Sequence, residues 1–347
     1  MTRFMKALVK TQERPGSIEL QNIQIPSLDS RDVLVKIKYA AICGTDLHIY
    51  EWNQWAAENY NVPLLLGHEF CGEVEQIGCE VNMVKVGERV AGETHVGCGY
   101  CYQCQIGRSH TCENVKLFSK LGLGCFSEYT VIPQEVVRVV PNLIPDKEAA
   151  VLEPLGVSVR AVQEAFISGE SVLITGCGPI GLFAVAVAKA LGANMIIASD
   201  IFQKRMDVAK QVGADIIINA SSPSFFEQLQ KITNGHGVKA VIETSGNPKA
   251  IQSAFKVNRS GGRVVMVGLP AKPVELDFAK DIITREITVT GVYGRKLNKT
   301  WFETENLLIS GKLNISPVLT HTFSLDEYKK AFDLAVSRQT GKILLKC

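Results

Sequence analysis

The chain has 347 residues, a length that suits about two domains. Hydrophobic residues make up 46% of it and charged residues 21%, and the net charge is +2. With its basic residues scattered, this ordinary balance argues against a nucleic acid or a membrane surface as partner. Four of the ten cysteines lie between Cys98 and Cys112, and Met1–Lys10 lacks the apolar core of a secretion signal. A cytoplasmic, metal-binding protein is therefore predicted rather than a disulfide-bonded one.

The first 150 residues or so are predicted to be β-rich. Apolar and polar residues alternate there with the period of half-buried strands. The predicted strands are Met5–Lys10, Ile18–Ile25, Asp32–Tyr39, Glu73–Ile77, Arg89–Ala91 and Ser127–Ile132.

From about Glu170 onward, short apolar runs alternate with amphipathic segments of helical length. The predicted strands are Ser171–Thr175, Met195–Ser199, Asp215–Ile218, Ala240–Glu243, Arg263–Val267 and Ile287–Thr290. The predicted helices are Pro179–Leu191, Gln203–Val212, Ser224–Thr233 and Pro248–Val257. This alternation predicts a doubly wound parallel sheet, so the fold class is α/β. Glycines and a proline interrupt the longest apolar stretch, which argues against a membrane span.

After Gly294 the alternation stops. A helix is predicted near Lys299–Ile309, followed by a strand at Leu319–Phe323. Ser324 and Glu327 have the spacing of a capping box, which predicts a helix that begins there and runs to about Ser337. A last strand is predicted at Lys342–Lys346, and this tail is expected to return to the first domain.

A glycine-rich turn follows the first strand of the α/β region, where Gly176, Gly178 and Gly181 fit the Gly-x-Gly-x-x-Gly pattern. Such glycines allow a tight turn, close approach of a pyrophosphate and close packing of helix on strand. Asp200 ends the next predicted strand, where a carboxylate binds an adenosine ribose and repels a 2′-phosphate. The pattern predicts NAD rather than NADP. Arg205, five residues after Asp200, could stack on the adenine or weaken this preference. The alternative is a glycine turn of another α/β fold in which Asp200 caps a helix.

A cysteine cluster forms the second motif. Four thiols at short spacings can surround one zinc ion and leave it no open position, which indicates a structural site. The alternatives are a redox-active set, an iron–sulfur cluster and a zinc ribbon that binds nucleic acid. The four residues are Cys98, Cys101, Cys104 and Cys112.

A third motif combines Cys43 with His68 and Glu69. One thiol, one imidazole and one carboxylate form an incomplete ligand set, which is what a catalytic zinc requires. Such a zinc would polarise a substrate hydroxyl, and Thr45 and His48, one helical turn apart, could carry its proton away. Spacing alone leaves open that the histidine and the thiol are ordinary core residues.

Taken in order, these motifs resemble the medium-chain zinc-dependent alcohol dehydrogenase family over nearly the full chain. The resemblance implies a GroES-like β-rich catalytic domain, comprising residues 1–153 and 295–347 with a zinc lobe at about 93–115. It also implies an inserted Rossmann NAD-binding domain at residues 154–294. Family members commonly form homotetramers, so a homo-oligomer is expected.

The resemblance also implies roles for individual residues. Cys43, His68 and Glu69 would bind the catalytic zinc, and the four clustered cysteines the structural zinc. Thr45 and His48 would form a proton relay, and Glu153 would either assist that relay or ligate the zinc transiently. The expected NAD contacts are Gly176, Gly178, Pro179, Ile180, Gly181, Asp200, Arg205, Val267, Gly268, Leu269, Val292 and Tyr293.

Within the family, Ala41–Ala56, Glu93–His95, Gly291–Arg295 and Ser310–Asn314 resemble the branch that oxidises L-threonine to 2-amino-3-ketobutyrate. Two segments depart from that branch. Val157-Ser158 is closer to polyol dehydrogenases, and Asn298–Phe302 stands where that branch usually has Glu-Thr-Trp-Tyr. Polyol or diol oxidation is therefore the alternative within the family. The alternative from another class is a non-catalytic protein that binds zinc and a nucleotide.

Overall fold

The computed structural model describes residues 3–121 and 123–347. It divides into two compact units. Unit 1 contains the segment that ends at Glu153, together with His321–Ser337 and Lys342–Cys347. Unit 2 contains Pro154–Thr320 and Arg338–Gly341. This division leaves residues 295–320 with unit 2, whereas the sequence-based boundaries assign them to the catalytic domain.

The first segment of unit 1 is rich in strands. These are β1 (Phe4–Lys10), β2 (Ile18–Gln24), β3 (Asp32–Ala41), β4 (Leu64–Leu65), β5 (Glu69–Ile77), β6 (Arg89–Gly92), β7 (His95–Val96), β8 (Lys116–Leu117), β9 (Tyr129–Pro133) and β10 (Val137–Val139). The α-helices are α1 (Gly44–Glu51), α2 (Gln54–Asn59), α3 (Tyr102–Gln105) and α4 (Asp146–Ala149). Short 3-10 turns lie at Ser109–Thr111, Phe118–Leu121 and Gln134–Val136.

Strands and helices alternate between Leu152 and Ile309. The strands are β11 (Ser171–Thr175), β12 (Met195–Asp200), β13 (Ile216–Asn219), β14 (Val238–Glu243), β15 (Asn258–Met266) and β16 (Thr288–Gly291). The helices are α5 (Leu152–Ala165), α6 (Pro179–Ala190), α7 (Gln203–Gln211), α8 (Phe225–Ile232), α9 (Pro248–Val257) and α10 (Lys299–Ile309). Short helical turns lie at Phe278–Ile282, Ile283–Arg285 and Ser316–Val318.

The last elements are β17 (Leu319–Ser324), a 3-10 turn at Leu325–Glu327, α11 (Tyr328–Val336) and β18 (Lys342–Lys346). The predicted capping box is confirmed, because the Glu327 carboxylate accepts hydrogen bonds from the backbone and the hydroxyl of Ser324. Helices α2, α3, α4 and α5 are absent from the sequence-based prediction. The first three have only four to six residues, and α5 contains Pro154 in its first turn and Gly156, so none of them shows a clear helical pattern in the sequence.

The main sheet of unit 1 runs in the order β10-β6-β5-β3-β18-β17, and β9 also pairs with β3. Its core contains Val35, Phe70, Phe126 and Phe332, all fully or almost fully buried. Strand β3 is antiparallel to β5 and to β18, with Ala41 paired to both Glu69 and Leu344. The end of β3 and the starts of β5 and β18 therefore meet at the same end of these three neighbouring strands.

Unit 2 is built on a parallel sheet in the order β13-β12-β11-β14-β15-β16. Its central strand β11 carries Val172, Leu173 and Ile174 with no exposed surface, as a strand covered on both faces requires. The predicted α/β fold class with a doubly wound sheet is confirmed. All carboxyl ends of these strands lie along the same edge, where such folds bind ligands.

Across residues 3–121 and 123–347, no helix combines the length and the apolar character needed to cross a bilayer.

Candidate functional site

The side chains of Cys43, His68 and Glu69 meet where β3 ends and β5 begins in the unit 1 sheet. Their potential ligand atoms all lie within 4.8 Å of one another. We refer to these three residues as the Cys43 cluster. Cys43 follows β3 and precedes α1, and Glu69 is the first residue of β5. Because β3 and β5 are neighbours in the sheet, the strand pairing itself brings the two segments together.

Asp46 ties the two ligand-bearing segments to each other. Its Oδ2 accepts the backbone N–H of Cys43 at 2.9 Å, and its Oδ1 accepts the backbone N–H of Gly67 at 3.3 Å. Gly67 has a φ of +87°, and a Cβ there would lie 2.4 Å from the ring of Phe126. The carboxylate and the glycine together fix where His68 stands relative to Cys43.

Lys342, the first residue of β18, is buried beside the Cys43 cluster with 2% of its surface exposed. Its Nζ donates to Oε1 of Glu69 at 2.8 Å and lies 2.6 Å from Oε2. It also donates to the carbonyl of Ile42 at 3.0 Å. Burial lowers the pKa of Lys342, but the negative charge of Glu69 outweighs that effect, and the pKa lies above its ordinary value. The lysine is thus a buried cation that holds the Glu69 carboxylate in place.

The chemistry of the Cys43 cluster fits a zinc ion. It offers sulfur, nitrogen and oxygen ligands in a set of three, which leaves a coordination position for substrate. Burial lowers the pKa of His68, but its interactions with the negative charges of Cys43 and Asp46 prevail and raise it to about 10. This excess of negative potential is what a divalent cation neutralises. In the described residues, Nδ1 of His68 makes no hydrogen bond and lies 3.9 Å from Oδ1 of Asp46.

The two predicted relay residues lie on α1, directly after Cys43. Oγ1 of Thr45 is 3.9 Å from Sγ of Cys43. The imidazole of His48 is exposed, and its Nδ1 is 2.7 Å from Nδ2 of Asn53. The structure therefore places Thr45 beside the Cys43 cluster and His48 one turn further along α1.

Glu153 lies in a second buried group, in which one of its carboxylate oxygens, one of Glu93 and a ring nitrogen of His95 fall within 4.8 Å of one another. The hydroxyl of Thr94 donates to Oε1 of Glu153 at 2.7 Å. Oε1 of Glu93 accepts the backbone N–H groups of Thr94 and His95 at 2.8 and 3.0 Å. Burial is the main cause that raises the pKa of Glu69, and the charge of Glu153 adds to it. Glu153 thus lies close enough to Glu69 for its charge to raise the pKa of that carboxyl.

The four clustered cysteines converge in the loop after β7, where their sulfur atoms lie within 4.8 Å of one another. Sγ of Cys98 accepts the backbone N–H of Cys101 at 3.4 Å, and Sγ of Cys112 accepts that of Cys98 at 3.3 Å. Burial raises the pKa of Cys98, but the amides of Tyr100 and Cys101 and the neighbouring thiols lower it to about 6. Backbone amides also lower the pKa of Cys101, whereas burial raises that of Cys112 to about 11. Four convergent sulfurs, two of which favour the thiolate form, fit a closed zinc site.

The glycine-rich turn lies between β11 and α6, at the carboxyl edge of the parallel sheet. A Cβ on Gly181 would lie 1.8 Å from the carbonyl oxygen of Gly176, so only glycine lets α6 pack this close. Gly178 has open space, with its nearest neighbour at 3.9 Å. Pro179 occupies the first turn of α6, where its missing N–H costs nothing. The amino terminus of α6 lies at this turn, a position that suits a pyrophosphate.

Asp200 ends β12 and holds the glycine turn. Its Oδ2 accepts the backbone N–H of Cys177 at 2.6 Å, and its Oδ1 accepts those of Ile201 and Phe202 at 2.7 and 2.9 Å. Arg205 is largely buried, which lowers its pKa, and its Nε donates to the carbonyl of Thr340 at 3.1 Å. The carboxylate therefore lies beside the turn, as a ribose contact requires.

The other predicted cofactor contacts lie along the same edge. The N–H groups of Val267 and Gly268 donate to the carbonyl of Glu243, and that of Val292 to Met266. Leu269 and Tyr293 are exposed just beyond β15 and β16. Ile180, in the first turn of α6, accepts the hydroxyl of Ser158 through its carbonyl at 2.8 Å.

Several residues that shape these sites are missing from the sequence-based prediction. Asp46 could have been found, because it stands three residues after Cys43 in the spacing of a helix cap. The others become visible only in three dimensions, and they are Asn53, Thr94, Glu243 and Lys342.

Comparison with known proteins gives matches along nearly the whole chain. Residues 29–142 match the model of the alcohol dehydrogenase GroES-like domain, and residues 179–310 match that of the zinc-binding dehydrogenases. An L-threonine 3-dehydrogenase of Bacillus licheniformis is 43% identical over 98% of both chains. One of Pyrococcus furiosus is also 43% identical, over 99% of both chains. Among solved structures, galactitol-1-phosphate dehydrogenase of Escherichia coli aligns with a TM-score of 0.90 at 28% identity, covering 99% of this chain and 100% of that one.

Proposed function

The chain belongs to the medium-chain zinc-dependent alcohol dehydrogenase family, and on that premise we propose that it oxidises the β-hydroxyl of L-threonine to 2-amino-3-ketobutyrate with reduction of NAD. The observation that carries the proposal is the Cys43 cluster, a three-ligand set with its ligand atoms within 4.8 Å. The full-length similarity to two L-threonine 3-dehydrogenases supports the choice of substrate.

In this proposal, unit 1 provides the catalytic metal site and unit 2 the dinucleotide site. When bound, zinc supplies a Lewis acid for the substrate hydroxyl and NAD a hydride acceptor. Cys43 and His68 hold the metal, and Glu69 completes the set while Lys342 balances its charge. The lobe cysteines hold a structural zinc.

The proton of the substrate hydroxyl leaves through Thr45 and His48. The position of Thr45 beside Cys43 and the exposure of His48 one turn later support this direction, from the buried cluster towards solvent. Glu153 assists through its charge, and Thr94 fixes the orientation of its carboxylate. General acid–base groups of this kind contribute about 10²–10⁴-fold to rate.

At the carboxyl edge of the parallel sheet, the turn of Gly176, Gly178 and Gly181 would hold the pyrophosphate of NAD, and Asp200 would bind its adenosine ribose. The Asp200 carboxylate disfavours a 2′-phosphate, so NAD is preferred over NADP. Pro179, Ile180, Arg205, Val267–Leu269 and Val292–Tyr293 complete the proposed contacts.

Polyol oxidation is the second candidate, favoured by Val157-Ser158 and by the structural likeness to a galactitol-1-phosphate dehydrogenase. The structure lessens the weight of one departure. Ser158 is fully buried and its hydroxyl binds the carbonyl of Ile180, which is a packing role between α5 and α6. Such a serine does not by itself select a polyol.

A substrate panel tests the proposal. The purified protein with zinc and NAD is offered L-threonine, sorbitol, 2,3-butanediol and galactitol 1-phosphate, and kcat/KM is measured from NADH absorbance. We expect L-threonine to exceed each of the others by at least about 100-fold, since a site built to hydrogen-bond one substrate's polar groups rejects substrates that lack them. A higher kcat/KM for any of the three other alcohols than for L-threonine would show that L-threonine is not the preferred substrate.

We further propose a homotetramer, as the family resemblance implies, and a cytoplasmic location. Light scattering of the purified protein tests the first, and fractionation of cells that express it tests the second.

A further inference from the structure

The segment after α1 turns back over His48. Trp52 adopts a left-handed conformation with a φ of +46°, and the backbone N–H of the next residue, Asn53, donates to the carbonyl of His48 at 3.3 Å. The side chain of Asn53 then reaches the imidazole, with Nδ2 at 2.7 Å from Nδ1. Two contacts thus join the same pair of residues, one through the backbone and one through the side chains.

The direction of the side-chain contact follows from the other end of the Asn53 amide. Asn53 is the N-cap of α2, and its Oδ1 accepts the backbone N–H of Ala56 at 3.0 Å. A backbone N–H can only donate, so the carbonyl end of the amide faces Ala56. The NH₂ end must then face His48, and a donor there requires that Nδ1 of His48 be an acceptor.

We propose that Asn53 is a positioning residue that fixes the neutral tautomer of His48, with the ring proton on Nε2. The inference rests on the proposed role of His48 in carrying the substrate proton. In this tautomer Nε2 carries the ring proton and Nδ1 the only lone pair, so the ring passes a proton on by taking one up at Nδ1 and releasing the one on Nε2. Accepting a proton at Nδ1 requires the contact with Asn53 to break, because two N–H groups would otherwise face each other across 2.7 Å.

Two substitutions separate this role from the capping of α2. Asn53→Ser and Asn53→Asp both keep an oxygen that can cap the helix. The serine side chain is too short to reach His48, and the aspartate presents an acceptor in place of the donor. A purely structural role for Asn53 predicts near-wild-type behaviour in both variants, whereas the tautomer role predicts that the ring proton moves to Nδ1 in Asn53→Asp and is shared between the two nitrogens in Asn53→Ser.

The experiment records ¹⁵N spectra of the histidine side chains in the zinc-loaded, full-length protein, with His48 assigned from the spectrum of His48→Gln. We expect the Nε2-protonated tautomer in the wild type, Nδ1 protonation in Asn53→Asp and a mixture in Asn53→Ser. We also expect kcat to fall about tenfold in Asn53→Asp with KM for NAD unchanged, because the carboxylate would keep a proton on Nδ1 and that nitrogen could no longer take one up; tenfold is about the effect of one hydrogen bond. A wild-type His48 protonated at Nδ1, or spectra unaffected by both substitutions, would overturn the inference.

The two hypotheses fail separately. If the panel shows no oxidation of any alcohol while the tautomer responds as expected, the proposed function falls and Asn53 keeps its role. If L-threonine is oxidised and the tautomer does not respond, only the role of Asn53 falls.

Discussion

Replacing Lys342 with methionine is expected to lower the free energy of unfolding by about 3–5 kcal/mol, because it leaves the buried Glu69 carboxylate without its cation. Glu69 is fully buried, and Lys342 lies within 2.8 Å of its Oε1. The loss of the hydrogen bond to the Ile42 carbonyl adds to the effect. Urea unfolding of the zinc-free protein measures it, because a zinc ion bound to Glu69 would itself balance the charge of the carboxylate.

Lys6→Met provides the matched control, since Lys6 forms an ion pair with Asp326 in which both side chains are more than half exposed. Removing this surface pair should cost no more than about 1 kcal/mol. The double substitution Lys342→Met and Glu69→Gln should recover much of the loss, because it removes the uncompensated charge. A Lys342→Met protein as stable as the Lys6→Met protein would contradict the buried ion pair.

Gly181→Ala and Gly178→Ala should have different consequences, although both lie in the glycine turn. At Gly181 the new methyl group would lie 1.8 Å from a backbone oxygen, so α6 must move away from β11. We expect a loss of stability at the upper end of the overpacking range, about 3 kcal/mol or more. Thermal unfolding without cofactor measures it.

At Gly178 the methyl group meets nothing closer than 3.9 Å, and the φ of −68° suits any residue. Stability should therefore stay within about 0.5 kcal/mol of the wild type. The methyl group would, however, occupy the space in which the turn approaches a pyrophosphate, so the Kd for NADH should rise about tenfold or more. Unchanged NADH affinity in Gly178→Ala would argue against binding of the pyrophosphate at this turn.

The parts of the sites that local spacing encodes were predictable from the sequence. The four lobe cysteines lie close together along the chain, and the three glycines follow an apolar strand, so each pattern carries its own geometry. The capping box at Ser324 and Glu327 is another local pattern that the structure confirms.

The rest depends on strand pairing between distant segments. Lys342 lies in the apolar run Lys342–Lys346, and its pattern is that of a lysine at the end of an ordinary strand. Only the pairing of β18 with β3 brings its Nζ to Glu69, 273 residues away along the chain. The same holds for Thr94 and Glu153, whose hydrogen bond joins a β-strand loop to the start of α5. No local pattern in a single sequence reports such pairings.

The most direct test of the account is the zinc content of the protein together with its rate of NADH formation from L-threonine. We predict two zinc ions per chain in the wild type and one in Cys43→Ser, with the rate falling about a thousandfold or more, consistent with the several kcal/mol that a metal contributes. Cys101→Ser is the control, since it should also lose one zinc but act mainly through stability. A catalytic metal at Cys43, His68 and Glu69 would be contradicted if the wild type contained a single zinc ion and the Cys43→Ser protein kept that one ion together with the full rate.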